Sequence, residues 1–285
     1  MKKGLIVILA LTTAATLAVP GLAKDPVVDS GWAATPIRID GASQDWQNAQ
    51  FLTDKGSKVE YAVRNDGSHL YILFMFKDQM AASTIDQTGM KIYYDAADKK
   101  SKDLGVLFTR QQVTADELIA ILEKRGETFT DERKAEIRKN KAYIHFNDEV
   151  INEKDLPAPS DPAVKTDPPS FRTGMQNEPK ALLYEIRIPL SRLNQPGGIG
   201  AEPGQTIKIG FEWGGMTREI MKNIMAARAS GGSMARESGS SSTRGFSDDD
   251  SAVGSGGGGG DFRAFTRDPR YKKHSFWIDV KLAAQ

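Results

Sequence analysis

Over 285 residues the chain carries 38 Lys+Arg against 37 Asp+Glu, three histidines and no cysteine. So balanced a charge selects no partner by its overall field and argues against nucleic acid, whose phosphates call for a net basic surface. Without cysteine there are no disulfides, no thiolate nucleophile and no covalent haem attachment, and a chain this long can bury a sufficient core without such staples.

The first residues read as an export signal. Lys2 and Lys3 precede an apolar run from Leu5 to Val19, and Gly21 and Ala23 occupy the small-residue positions before a cleavage point. The run falls short of the about 20 residues that span a bilayer. Residues 1–23 are therefore expected to be a signal peptide and residues 24–285 a single mature domain, periplasmic or extracellular, with no membrane span left after cleavage.

Period-two alternation, the mark of half-buried strands, dominates the mature chain. Strands are predicted over 58–63 and 69–77, joined by the turn residues Asn65-Asp66-Gly67-Ser68. Others are predicted over 89–95, 103–110, 141–147, 182–188, 206–213 and 275–282. In the 206–213 strand, Ile207, Ile209, Phe211 and Trp213 share a core face, and Thr206, Lys208, Gly210 and Glu212 share a wet one. The expected fold is mainly β, an antiparallel β-sandwich of immunoglobulin-like or jelly-roll-like kind.

A helical insertion is predicted over about 111–140. Thr114 caps a first helix with Asp116 and Glu117 in its opening turn, and Thr130 caps a second, highly charged one. A Pro-rich surface excursion covers about 156–170, and a third short helix 216–229. The Gly/Ser-rich stretch of about 230–261 cannot bury enough to offset its ordering entropy and is expected to be a disordered loop.

Several blocks in order carry a resemblance. They are Ile37-Arg38-Ile39-Asp40-Gly41 with Trp46 nearby, Asp66-Gly67-Ser68-His69-Leu70-Tyr71-Ile72, Lys91-Ile92-Tyr93-Tyr94-Asp95, Tyr184-Glu185-Ile186-Arg187-Ile188-Pro189-Leu190, and Gln205 to Phe211. This order resembles the DOMON-like superfamily, most closely the family-nine carbohydrate-binding modules. The resemblance implies an extracytoplasmic β-sandwich that binds a ligand, usually a sugar and in some branches haem. The helical insertion and the glycine-rich loop depart from that pattern.

Sugar binding needs aromatic faces for the C–H side of the ring and polar groups for the hydroxyls. Alternation turns Trp277, Tyr93 and Tyr143 away from the core, so these are the candidate stacking groups, with Glu212, Lys208 and Arg187 as hydroxyl partners. Trp46 is expected to plug the sandwich and Trp213 to be structural. Strand 69–77 is apolar on both faces, so its outer face is either covered by the inserted helices or lines an apolar pocket.

The rival ligands are haem b, for which His69, His145, His274 and nine methionines are available, and calcium at Asp95, Asp98 and Asp103 or at Asp248 to Asp250. Neither carries a recognisable ligand spacing, and no cofactor is predicted. Glu185 and Glu212, both on strand faces expected to be wet, are the one carboxylate pair that offers a glycosidase arrangement. No nucleophile elbow, zinc motif or phosphate-cradling glycine loop occurs, so the chain is expected to be non-catalytic. The expected partner is an oligosaccharide or polysaccharide. The alternative is an envelope assembly protein on the same fold that binds other envelope proteins.

Overall fold

A computed structural model describes residues 25–78, 84–85, 88–96, 99–124, 126–151, 167–193, 195–215 and 272–285. The segment expected to be a signal peptide, the helix expected at 216–229, the Gly/Ser-rich stretch and most of the Pro-rich stretch lie outside the described residues. Within them the chain forms a β-sandwich, as its alternation predicts.

The first sheet contains β1 (Val27–Asp29), β6 (Met90–Asp95), β7 (Gly105–Val113), β8 (Tyr143–Ile151), β11 (Thr206–Trp213) and β12 (His274–Lys281). Their order across it is β1-β12-β11-β6-β7-β8. The second contains β2 (Gly31–Trp32), β3 (Leu52–Thr53), β4 (Glu60–Asn65), β5 (His69–Phe76), β9 (Ser170–Asn177) and β10 (Lys180–Pro189). Its order is β2-β4-β5-β10-β9, with β3 also on β4. Two pairings are parallel, β1 with β12 and β2 with β4, and both come from the N-terminal segment. The remaining pairings are antiparallel.

The inner faces enclose one core. Leu70, Ile72, Phe74 and Phe76 of β5 meet Ile207, Ile209, Phe211 and Trp213 of β11, and all are buried. The Phe74 and Phe211 rings meet edge to face, 4.9 Å between centroids, a preferred aromatic geometry. The turn between β4 and β5 is held by Asp66, whose carboxylate accepts the Ser68 and His69 amides (2.7 Å each) and the Tyr71 hydroxyl (2.6 Å).

The outer face of β5 is covered, but not by the insertion. Tyr71, Leu73 and Met75 form a second cluster with Ala33, Ile37, Trp46, Ala62, Ala181 and Leu183. The N-terminal segment, including a single 3-10 turn at Gln44–Trp46, lies across this sheet. Trp46 is buried as expected for a structural residue, but on the outside of the second sheet rather than between the two sheets.

The insertion forms α1 (Ala115–Lys124) and α2 (Asp131–Arg138) between β7 and β8. At α1 the Glu117 amide donates to Thr114 Oγ1 (3.3 Å) while the Glu117 carboxylate accepts the Thr114 amide (2.7 Å), a reciprocal capping box. At α2 the Thr130 hydroxyl accepts the Arg133 amide (3.3 Å). The helices bury Ala115, Ile119 and Ile137 against each other and pack on Tyr143. They cap the far end of the β7–β8 pair.

Candidate functional site

The strand register assembles the candidate residues on the outer face of the first sheet. Trp277 of β12 stands opposite Gly210 of β11, Gly210 opposite Tyr93 of β6, and Tyr93 opposite Gly105 of β7. Aromatic residues and glycines thus alternate along one row across four strands. The glycines have a steric role here. Three adjacent atoms of the Trp277 six-membered ring lie 2.7, 2.7 and 2.8 Å from where a Cβ on Gly210 would stand. Near-equal distances of that kind arise when a ring lies face-on over the glycine, not when it meets it edge-on. Trp277 is half-buried, one face seated on the glycine.

Tyr93 lies in the same row but is 6% exposed. Lys102 Nζ sits 5.2 Å from its ring centroid, within cation–π range. Burial and the neighbouring Glu212 carboxylate push the Tyr93 phenol up. Of the two rings in the row, Tyr93 is thus the buried one and Trp277 the more exposed.

Glu212 occupies the adjoining row, between Ser275 and Lys91 in register. Its carboxylate takes Lys102 (2.5 Å) and Lys273 (3.0 Å). Burial pushes this acid up, but the bonds from the two ammonium groups outweigh it and hold the carboxyl below its usual range. On the far side of the aromatic row, Lys208 pairs with Asp279 and, at 3.2 Å, with Asp25. Asp25 also holds Lys100 at 2.8 Å. Lys208 is thus buried and engaged, a structural cation beside the site rather than a free hydroxyl partner.

The other two candidates lie elsewhere. Tyr143 is eight residues from Ile151 along β8, roughly 26 Å at strand rise. Its hydroxyl donates to the Ile137 carbonyl (2.6 Å), tying the helical hairpin to the strand. Arg187 belongs to β10 in the second sheet, where it bonds Asp167 (2.5 Å). The carboxylate pair also separates. Glu185 is fully buried on the outside of the second sheet, where alternation had placed it in water. Its Oε1 accepts the Trp46 indole N–H (2.8 Å) and its Oε2 the Asp40 and Gly41 amides (2.9 Å each). The N-terminal segment that covers β5 covers it too.

The three histidines do not converge. His69 Nε2 lies 3.0 Å from Asp167, His145 is buried on β8, and His274 stacks on Trp213. Among the described residues no three His, Asp or Glu gather as a metal site. Asp103 bonds Ser101, and Asp98 and Asp248 to Asp250 lie outside the described residues. A polar cleft of about 660 Å³, lined by His69, Asp167, Arg192 and Gln195 among others, opens at the β4–β5 turn. Among the described residues its walls carry no Trp, Tyr or Phe.

No protein-family model matches the chain, and no curated protein does. Among solved structures the chain is similar to a family-nine carbohydrate-binding module from Caldicellulosiruptor kristjanssonii in complex with cellotriose. The identity is 14% over 69% of this chain and 80% of that one, with a TM-score of 0.33. The same module in complex with glucose gives 13%, 68%, 81% and 0.33. Overlap of that size carries no weight for the ligand.

Proposed function

We propose that the chain is an exported, non-catalytic saccharide-binding protein whose platform is the outer face of β12, β11 and β6, with Trp277 beneath the sugar ring. One observation carries the reading: Trp277 is seated face-on over Gly210, beside a polar rim, on a sheet face turned away from the core. A pyranose offers an apolar C–H face that suits a flat indole, and its hydroxyls need charged or polar partners at the edge. Glu212, Lys273 and Lys91 supply them. Export rests on the basic, apolar and small-residue pattern of residues 1–23. Separation of Glu185 and Glu212 onto opposite outer faces supports a non-catalytic role, since the two cannot flank one glycosidic bond.

The test is a glycan-array and polysaccharide pull-down screen on the purified protein, with Trp277→Ala in parallel. Binding to one or more glycans that Trp277→Ala abolishes is expected. A folded protein that binds none of them overturns the reading in favour of an envelope protein partner. A Soret band in the purified protein overturns it in favour of haem.

A further inference from the structure

At the β11 end of the same face, a cavity of about 320 Å³ is lined by Lys91, Glu212, Trp213, Gly214, Gly215 and Lys273 among others. Its size is at the lower end of the roughly 300–1,000 Å³ of small-molecule pockets and suits one sugar ring. Ser275 shares this corner in register with Glu212 and lies two residues along β12 from Trp277, about 7 Å at strand rise. The cavity therefore continues the platform.

The balance of charge indicates what it takes. Glu212 is already neutralised by Lys102 and Lys273. Lys91, half-buried and opposite Glu212 on β6, has no ion-pair partner among the described residues. Lys91 and Lys273 thus line the cavity with one carboxylate, Glu212, which Lys273 already engages. Gly214 and Gly215 both have positive φ (77° and 86°), and the Gly214 amide is already spent on Thr88 Oγ1 (2.9 Å). The unmet capacity at this corner is for negative charge.

We propose that the site is selective for acidic saccharides, with Trp277 under a uronic acid ring and its carboxylate received at the corner of Lys91 and Lys273. This rests on the saccharide reading above and names the class of sugar. Neutral sugars would leave Lys91 uncompensated. A carboxylate on the ring satisfies it.

The experiment is calorimetric titration of the purified protein with oligomers of galacturonic, glucuronic and mannuronic acid, each alongside its methyl ester, which keeps the ring and removes the charge. At least one acid is expected to bind about tenfold or more tightly than its ester, as a charge-assisted hydrogen bond implies. Lys91→Met should bring that ratio close to one, and Trp277→Ala should abolish binding of both forms. Lys134→Met removes an equal charge from the Glu123 pair on the helical hairpin and should leave the ratio intact. Equal affinity for acid and ester, lost in Trp277→Ala, overturns the uronate assignment while the saccharide reading stands. An acid preference that survives Lys91→Met overturns the assignment of the corner. If no acid, ester or neutral glycan binds, both readings fall.

Discussion

Two side-chain arrangements explain why particular residues stand where they do. In the first, Glu185 anchors the N-terminal segment through three N–H donors, from Trp46, Asp40 and Gly41. This accounts for the Ile-Asp-Gly block and its nearby tryptophan as a clasp over the second sheet. Gly41 has φ +80°, and a side chain there would run into the Thr173 backbone of β9. Trp46→Ala removes a fully buried indole and leaves one carboxylate oxygen without its donor. A loss of about 3–5 kcal/mol is expected, measured by chemical denaturation. A loss under about 1 kcal/mol would mean that the segment is not held this way. In the second arrangement, Gly210 seats Trp277. Gly210→Ala places a methyl group under the indole and must lift the ring, while the inner face of β11 is unaffected. Saccharide affinity should fall, with stability close to wild type. Unchanged affinity would show that the seated ring is not the platform.

The elements differ in how far their own residues specify them. β11 begins and ends where its alternation does, because both faces have a distinct chemistry over eight residues. The helical hairpin is equally legible, since Thr114 and Thr130 are local capping signals that need no distant partner. β9 is not. Its Ser-Phe-Arg-Thr-Gly-Met-Gln-Asn run buries only Phe171 fully, and pairing with β10 supplies what its composition does not. β1, β2 and β3 are too short for any period to register. Alternation places Tyr93 and Glu185 on the correct faces but leaves them exposed, whereas both are buried. It reports which side a residue points to, not what a distant segment lays across it. The hairpin's self-contained cluster of Ala115, Ile119 and Ile137 makes a further prediction. Replacing residues 114–141 with a short turn should preserve the fold and saccharide binding, read by circular dichroism and by titration. Loss of binding with the fold intact would draw the helices into the site. Within the hairpin, Thr114→Ala should cost about 1 kcal/mol.

At the scale of the whole molecule, Glu185 on one outer face and Glu212 on the other titrate with opposite signs while the two sheets share one core. Burial lifts Glu185 above its ordinary 4.5, because its three N–H bonds oppose desolvation without a cation to offset it. The native state then binds this proton more readily than the unfolded chain does. That contribution to stability is fully present below about pH 4.5 and disappears as pH rises through the native value. Glu212, lifted by burial but lowered further by Lys102 and Lys273, behaves in reverse. Its contribution is present above about pH 4.5 and is lost as pH falls through the native value. Burial also lifts Asp25 and Asp66, yet Lys100 and Lys208 hold the first down and Tyr71 and two amides the second, so both share the sign of Glu212. Because the sheets enclose a common core, one unfolding transition should report both faces. Denaturation of wild type, Glu185→Gln and Glu212→Gln from about pH 3 to pH 8 isolates each group, since glutamine does not titrate and any fixed cost of the substitution cancels in the slope. Relative to Glu185→Gln, wild type should gain stability as the solution is acidified toward pH 4.5. Relative to Glu212→Gln, it should lose stability below that point. Slopes of the same sign would mean that the clasp carboxylate is compensated by a charge, and that Glu185 is tied to the second sheet by more than its three N–H donors.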